Sequence, residues 1–355
     1  MSVHARGLAI AAALAAAGPA RAENLKPVAT IALPGAPVVN LGTMVIDPVA
    51  RLGFLAEKEN KAVVIFDTKT DTFVSRVTGF VGLTKDGNEG GPNGVIVVNG
   101  GANLFVSDGD STVKVVDVKA GKIVATFATG GKLRANNMAH DPAGKIVILA
   151  NSNEEVPFLS LISTEPGYKI LAKIPVPESG ENLERSVFQA SSGMFWTAIP
   201  VLASDKTKGI LAQTESKSGK LIKLHELEGC HPHSLQLVSE TTIFLGCSSA
   251  HAPAPKPGGD LAIFDIGAGK IVARGAGLGG NGSSDLNPGA RRYYHATTAA
   301  TLVVVDTQTR QPVEKLATSQ GARSVAVDPA TGKVYLATSA KEGPCGGCVQ
   351  VYAPQ

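Results

Sequence analysis

Short segments with alternating apolar and polar positions run through most of the chain and are separated by turn residues. Residues 322–328 alternate and end at Pro329, residues 333–339 alternate again, and residues 349–352 form a further short apolar run. Alternation with a period of two places one face of a segment on a core, so each of these segments is predicted to be a β-strand. The pattern therefore predicts an all-β protein.

The strands form a unit that recurs roughly every 40 to 50 residues, a period typical of propeller blades. One full unit comprises residues 94–98, 103–108, 112–117 and 122–127, which predicts an antiparallel sheet of four strands. Seven segments have the character of the first strand of such a unit: 41–47, 93–99, 135–141, 183–190, 233–238, 282–287 and 322–328. We therefore expect seven blades.

The seventh unit lacks a fourth strand near the end of the chain. Residues 27–33 precede the first blade and have the alternation of a fourth strand. Pairing this segment with the last blade would remove two open sheet edges. The fold class predicted is a seven-bladed β-propeller closed by an N-terminal strand that completes the last blade.

The third strand of several units is an apolar run that ends in aspartate. This pattern occurs at residues 63–67, 113–117, 261–265 and 302–306, each followed by a polar turn. An aspartate side chain can accept hydrogen bonds from backbone amides of the following turn. These aspartates are therefore predicted to be structural.

The first 22 residues have the features of a secretory signal peptide. Arg6 gives a positive start, residues 8–17 are an apolar run too short to span a membrane, and Ala20-Arg21-Ala22 is a small-x-small cleavage site before Glu23. We expect cleavage after Ala22, a periplasmic or secreted protein without a membrane span, and a single propeller domain over residues 23–355. A closed propeller has few open edges, so a monomer is expected.

Charge and cysteine content narrow the function classes. The chain has 33 Lys and Arg against 30 Asp and Glu, a balance that argues against a nucleic-acid partner, which would need a concentrated basic face. In an exported protein, four cysteines favour disulfides over thiolate metal sites. A hairpin turning near Ser239 would bring Cys230 opposite Cys247, and Cys345 can pair locally with Cys348, although their spacing leaves open an accessory role in redox or metal handling.

The repeats resemble those of the YVTN-repeat β-propeller family, exported bacterial proteins grouped with YncE-like and "lactonase family" propellers. The resemblance is carried by residues 321–336 and by Ile65-Phe66-Asp67-Thr68-Lys69-Thr70, where the family has a strand, an aspartate and a threonine-containing turn. It implies the propeller fold. Because the family contains both binding proteins and enzymes, it leaves the function open.

Polar residues precede or begin the predicted inner strands, which line the axis of a propeller. We therefore expect them to converge on a polar ligand pocket at one mouth of the axial channel. The ligand-binding residues predicted there are Asn93, Asn136, Asn137, Asp285 and Arg323.

His231 and His233 form the most specific candidate pair for chemistry. Alternate residues of a strand share a face, so the two imidazoles could act with Glu181 and Arg185 as acid–base and substrate-binding groups. They could also bind a divalent metal together with carboxylates such as Glu181 or Asp285. If Pro232 interrupts the strand, the rings diverge and have structural roles.

Two functions follow from these residues. The first is a binding or scaffold protein whose polar axial pocket takes a small molecule or a periplasmic protein partner. The alternative is an axial-site enzyme of the lactone hydrolase or lyase type, with or without a divalent metal. The other histidines receive no role: His140 is expected to be an exposed turn residue, and the rest are placed on outer strands or rim loops (His225, His251 and His295).

Overall fold

The structure is a computed structural model. It describes residues 23–84, 90–248, 259–297, 299–341 and 345–355. The predicted signal peptide and His251 lie outside these ranges. Within them, no helix has the length and apolar character needed to cross a membrane.

The described residues form seven antiparallel sheets of four strands each. The first four strands after the N-terminal strand β1 (Lys26–Ala32) are blade 1, and the following sets of four are blades 2 to 6. Blades 1 to 3 contain β2 (Leu41–Asp47), β3 (Leu52–Glu57), β4 (Ala62–Asp67), β5 (Thr72–Thr78), β6 (Val95–Val98), β7 (Asn103–Ser107), β8 (Thr112–Asp117), β9 (Lys122–Ala128), β10 (Ala135–Asp141), β11 (Ile146–Asn151), β12 (Phe158–Ser163) and β13 (Ile170–Pro175). A three-residue 3-10 helix, Asn99–Gly101, follows β6.

The second half of the chain repeats the arrangement. Blades 4 to 6 contain β14 (Ser186–Gln189), β15 (Met194–Ile199), β16 (Lys208–Glu215), β17 (Leu221–Glu228), β18 (His231–Ser239), β19 (Thr242–Ser248), β20 (Asp260–Asp265), β21 (Lys270–Ala276), β22 (Gly282–Asn287), β23 (Arg292–Thr297), β24 (Thr301–Asp306) and β25 (Pro312–Ala317). Blade 7 contains β26 (Ser324–Val327), β27 (Val334–Thr338) and β28 (Cys348–Ala353), and β1 is its fourth strand.

The first strand of each blade is the innermost. These seven strands contact one another in a closed ring, in which β26 of blade 7 contacts β2 of blade 1. The N-terminal strand β1 pairs antiparallel with β28, with Ile31 opposite Val349 and Ala32 opposite Cys348. The predicted all-β, seven-bladed propeller closed by an N-terminal strand is confirmed.

The core lies between adjacent blades. Second and third strands are buried along almost their whole length, because they are covered on both faces by neighbouring sheets. One cluster joins Phe54 and Val63 of blade 1 to Leu104 and Val116 of blade 2. Fourth strands alternate between exposed and partly buried positions, as expected for edge strands with one face exposed to solvent.

The aspartates that end third strands have the structural role predicted for them. Asp67 Oδ1 accepts hydrogen bonds from the amides of Lys69 and Thr70 at 2.7 and 2.8 Å, and Asp117 accepts one from Ala120 at 2.7 Å. The Thr70 amide is the main cause of the lowered pKa of Asp67. Each aspartate therefore closes the turn that leads to the fourth strand.

Both predicted disulfides are present. Cys230, directly before β18, is bonded to Cys247 of β19 with their Cα atoms 4.9 Å apart. Cys345 is bonded to Cys348 with a Cα separation of 5.9 Å. The first disulfide ties the beginning of an inner strand to the strand beside it.

Candidate functional site

The candidate site is a cavity at the axial mouth where the seven inner strands begin. Its volume is about 220 Å³, and residues from all seven blades line it. The lining residues are Leu41, Gly42, Thr43, Asn93, Arg134, Asn136, Asn137, Glu184, Arg185, His233, Asn281, Gly282 and Arg323. The mouth is thus assembled from segments distant in sequence, and four of the five predicted ligand-binding residues lie in its wall.

Hydrogen bonds between blades fix the polar wall of the mouth. The Thr43 amide donates to the Asn93 carbonyl at 2.7 Å. The Ser107 hydroxyl donates to the Asn136 carbonyl at 2.6 Å, and Asn136 Nδ2 donates to the Leu183 carbonyl at 3.0 Å. Blades 1 to 4 are therefore linked at the mouth by groups that belong to it.

Two glycines permit this close approach of neighbouring blades. A Cβ on Gly42 would lie 2.2 Å from the Asn93 carbonyl oxygen, and a Cβ on Gly94 would lie 2.6 Å from that of Asn136. Both distances are shorter than any van der Waals contact. Any larger residue at either position would push apart the strands that carry the site asparagines.

Asn137 is almost completely enclosed in the wall, with 7% of its surface exposed. Its Nδ2 donates to Asn136 Oδ1 at 3.2 Å, which fixes the orientation of the amide. Its Oδ1 is buried and has no hydrogen-bond partner among the described residues. A buried acceptor without a protein partner is unusual and marks the mouth as a place where a water or ligand completes the wall.

Arginine dominates the charge of the mouth. Arg134, Arg185 and Arg323 line it, whereas Glu184 is the one carboxylate among the lining residues that the structure describes. Burial lowers the pKa of Arg185, and the nearby carboxylates of Glu184 and Asp285 oppose this effect. The cavity is therefore a cationic pocket with polar walls.

The two candidate histidines occupy different environments. His233 lines the mouth, and its Nδ1 lies 3.6 Å from Glu184 Oε1. His231 is 2% exposed, is not among the lining residues, and its Nδ1 lies 2.8 Å from the Pro200 carbonyl oxygen. The structure does not bring the two imidazoles together.

A bulge in β18 explains why the alternation argument fails for this pair. Pro232 lies opposite Cys247 and Ser234 lies opposite Gly246, so His233 is an extra residue without a partner on β19. An extra residue interrupts the period of two and redirects the side chains on either side of it. His231 and His233 consequently do not share one face.

The predicted carboxylate also differs from the one found at the mouth. Glu181 is exposed and does not line the cavity, and Glu184, three residues later, lines it beside Arg185. In the described part of the chain, no group of three or more His, Cys, Asp or Glu residues has a geometry that could hold a metal ion. Of the predicted catalytic set, His233 and Arg185 lie at the mouth.

A second cavity of about 610 Å³ continues along the axis. It shares Thr43, Asn137 and Arg185 with the mouth, but apolar side chains make up much of its lining. Asp285 lines this deeper channel rather than the mouth. Burial raises the pKa of Asp285 to about 6, against the opposing effect of amide hydrogen bonds from Val327 and Leu286, both at 2.8 Å.

Two histidines near the axis differ from their sequence predictions. His140 is half-buried and lines the channel instead of standing exposed at a turn. His295 lies on the second strand β23, is fully buried, and its Nδ1 lies 3.1 Å from the Tyr293 hydroxyl and 3.3 Å from that of Ser234. Burial, with the charge of Arg185, lowers the pKa of His295 to about 4, so its ring is neutral near pH 7.

The sequence contained only an indirect signal for His295. The run 293–297 has no acidic or basic residue other than the histidine, as a strand covered on both faces requires. Its contact with Ser234 crosses from blade 6 to blade 5 and follows from the packing of the ring. His225, in contrast, lies on the outer strand β17 as expected, between Trp196 and Phe264.

Comparisons with known proteins support the architecture. No family model matches the chain, and no curated protein matches it significantly. Among solved structures, it is similar to a chain in a crystal structure of the mitotic checkpoint complex, with a TM-score of 0.70 over 99% of this chain and 98% of that chain. The identity between the two is 10%, so the similarity concerns the fold alone.

Proposed function

We propose that this protein is an exported β-propeller of the YVTN type that binds a small anionic molecule in its axial mouth. The observation that carries the proposal is the presence of three arginines, Arg134, Arg185 and Arg323, around one cavity whose described lining residues include a single carboxylate. An arrangement of this kind creates a positive potential in a confined volume and attracts small anions.

The chemistry of the lining favours a carboxylate ligand. Guanidinium groups pair with carboxylates in a planar, bidentate geometry that lysine cannot provide. Asparagine amides from three blades add donors and acceptors that can orient the rest of a small molecule. A volume of about 220 Å³ at the mouth is suited to a small molecule or to one side chain of a protein partner.

Binding requires fewer groups than catalysis at this mouth. The axial-enzyme hypothesis combined His231 and His233 with Glu181 and Arg185, and of these His231 and Glu181 do not line the cavity. His233 and Glu184 are neighbours there. For a binding role they need only contribute to the shape and charge of the cavity wall. Export agrees with the two disulfides, because disulfides persist in oxidising compartments.

Titration calorimetry with succinate and citrate tests the proposal, with choline as the cationic comparison. We expect the two carboxylates to bind and choline not to bind, and we expect Arg323→Gln to weaken carboxylate binding about tenfold or more, as the loss of a charge-assisted pair predicts. Arg310→Gln, on an exposed turn far from the mouth, is the matched control and should bind like the wild type. Equal binding of choline, or equal effects of the two substitutions, would refute an anion site at the mouth.

A further inference from the structure

We infer that the axial site takes an amphipathic organic anion, with one carboxylate at the mouth and an apolar chain or ring extending into the channel. The inference rests on the proposed function and specifies its ligand class. The cationic mouth and a more apolar channel meet at shared lining residues.

The cationic mouth and the deeper channel share part of their walls. Thr43, Asn137 and Arg185 line both cavities. A carboxylate held by Arg185 therefore lies where the channel begins. The rest of the same molecule can extend from this point along the axis.

The channel presents apolar side chains that are only partly covered by protein. Val45, Val97, Met138 and Phe188 lie on four inner strands and are half-buried, whereas the apolar residues of second and third strands are almost all fully buried. The remaining exposed area of these side chains faces the axial channel that they line. Covering it with an apolar group removes that area from water and favours binding.

The charges of the channel favour a single anionic group. Arg185, at its upper end, is the one arginine or lysine among the described residues that line it, and Asp285 lies further along. A second carboxylate inside the channel would meet Asp285, and Arg185, the cation coupled to Asp285, would already be paired with the first carboxylate. The geometry therefore favours a monocarboxylate whose far end is uncharged.

A chain-length series of carboxylates tests this inference by calorimetry. Acetate, butyrate, hexanoate and octanoate share one charged group and differ in apolar length, and 1-octanol and octylammonium share the tail of octanoate without its charge. We expect the affinity to rise with each added methylene by up to about fourfold, the value for full burial. We expect 1-octanol and octylammonium to bind at least about tenfold more weakly than octanoate.

Two variants separate the mouth from the channel. Arg323→Gln should weaken all the carboxylates by a similar factor, because it removes a charge at the mouth. Met138→Gln should weaken octanoate and leave acetate unchanged, because it changes only the channel wall. Val124→Gln, on the exposed face of β9, is the matched control, and thermal unfolding of each variant reports on its fold.

The outcomes distinguish this inference from the proposed function. If acetate and succinate bind in an Arg323-dependent way but the affinity does not increase with chain length, the amphipathic ligand is excluded and the anion site stands. If no carboxylate binds, both are overturned. The chain-length series on the wild-type protein gives this answer even if Met138→Gln does not fold.

Discussion

Asp285 and His295 are two titratable residues near the axis, and burial shifts the pKa of each. The two shifts have opposite effects on how the free energy of unfolding depends on pH. Burial raises the pKa of Asp285 to about 6 from 3.8, and it lowers the pKa of His295 to about 4 from 6.5. Between these values the folded state binds an extra proton at Asp285 and lacks one at His295. Stability therefore falls with rising pH because of Asp285 and rises because of His295.

Replacing Asp285 should remove its contribution to the pH dependence of the free energy of unfolding and leave the opposite contribution of His295. The cost of ionising Asp285 is absent below about pH 4 and fully present above about pH 6, and a shift of about two pKa units corresponds to about 3 kcal/mol. We expect the free energy of unfolding of Asp285→Asn, relative to wild type, to increase by about 2 kcal/mol of this amount between pH 4 and pH 6.5, because the rest develops outside this range. Urea unfolding at a series of pH values measures it.

Asparagine has one acceptor oxygen for the two backbone amides that Asp285 binds, and this loss does not change with pH, so it adds only a constant offset to the difference. Arg185 is the charged neighbour most strongly coupled to both groups, and it stays protonated throughout this range. A difference that is constant with pH would show that Asp285 has an ordinary pKa.

At the scale of the strand, β18 shows which features could be predicted from the sequence. Its alternation and length were sufficient to place an inner strand near residues 233–238, and the structure has it at His231–Ser239. The bulge at His233 was not predictable, because a bulge depends on the register with β19. It leaves no pattern of apolar and polar residues in the sequence. Of the two arrangements that the sequence allowed for His231 and His233, a shared face or diverging rings, the structure has the second.

The same distinction applies to the mouth. Asn93, Asn136, Asn137 and Arg323 were predicted because the propeller fold places the beginnings of all inner strands around the axis, so polar residues there lie near one another. Glu184 was missed in favour of Glu181, since residues 181–185 precede β14 without strand geometry to fix the directions of their side chains. Repetition determines which strands line the axis, whereas packing between blades determines which side chains reach it.

The two disulfides should differ in their contribution to stability. In the loop-entropy model, a cross-link over 17 residues, as between Cys230 and Cys247, contributes about 3 kcal/mol, and one over 3 residues, as between Cys345 and Cys348, about 1.6 kcal/mol. We expect the double serine variant of the first pair to lose more stability in urea unfolding than that of the second. Equal losses would contradict the loop-length argument for this protein.

At the scale of the whole molecule, the ring is held closed by contacts between its first and last parts. Asp71 of blade 1 accepts hydrogen bonds from Lys333 at 2.6 Å and from the Tyr335 hydroxyl at 2.9 Å, both from blade 7. Tyr335 also packs against Phe66, with ring centroids 5.4 Å apart. The seam between blades 7 and 1 therefore combines partly buried polar contacts with aromatic packing, while the β1–β28 ladder holds the N-terminal strand within blade 7.

Glu23 supplies a further link, between the N-terminal segment and blade 6. Its carboxylate accepts hydrogen bonds from Arg292 Nε at 2.6 Å and from the Tyr294 hydroxyl at 2.8 Å, and it is 9% exposed. Arg292 also pairs with Asp306 at 2.6 Å. If the signal peptide is cleaved after Ala22, as we propose, the first residue of the exported protein is anchored in this network.

Neutralising Glu23 should weaken the closure of the ring without altering the axial mouth. Glu23→Gln keeps the shape of the side chain but removes a buried charge, and we expect the free energy of unfolding to fall by about 2 to 3 kcal/mol, the contribution of charged buried hydrogen bonds. Glu226→Gln is the control: it removes an exposed ion pair with Lys208 and should cost at most about 1 kcal/mol. Urea unfolding gives both values, and succinate titration of Glu23→Gln should match the wild type. If the two substitutions cost the same, Glu23 does not anchor the ring, and the remaining contacts of the N-terminal segment, chiefly the β1–β28 ladder, hold it in place.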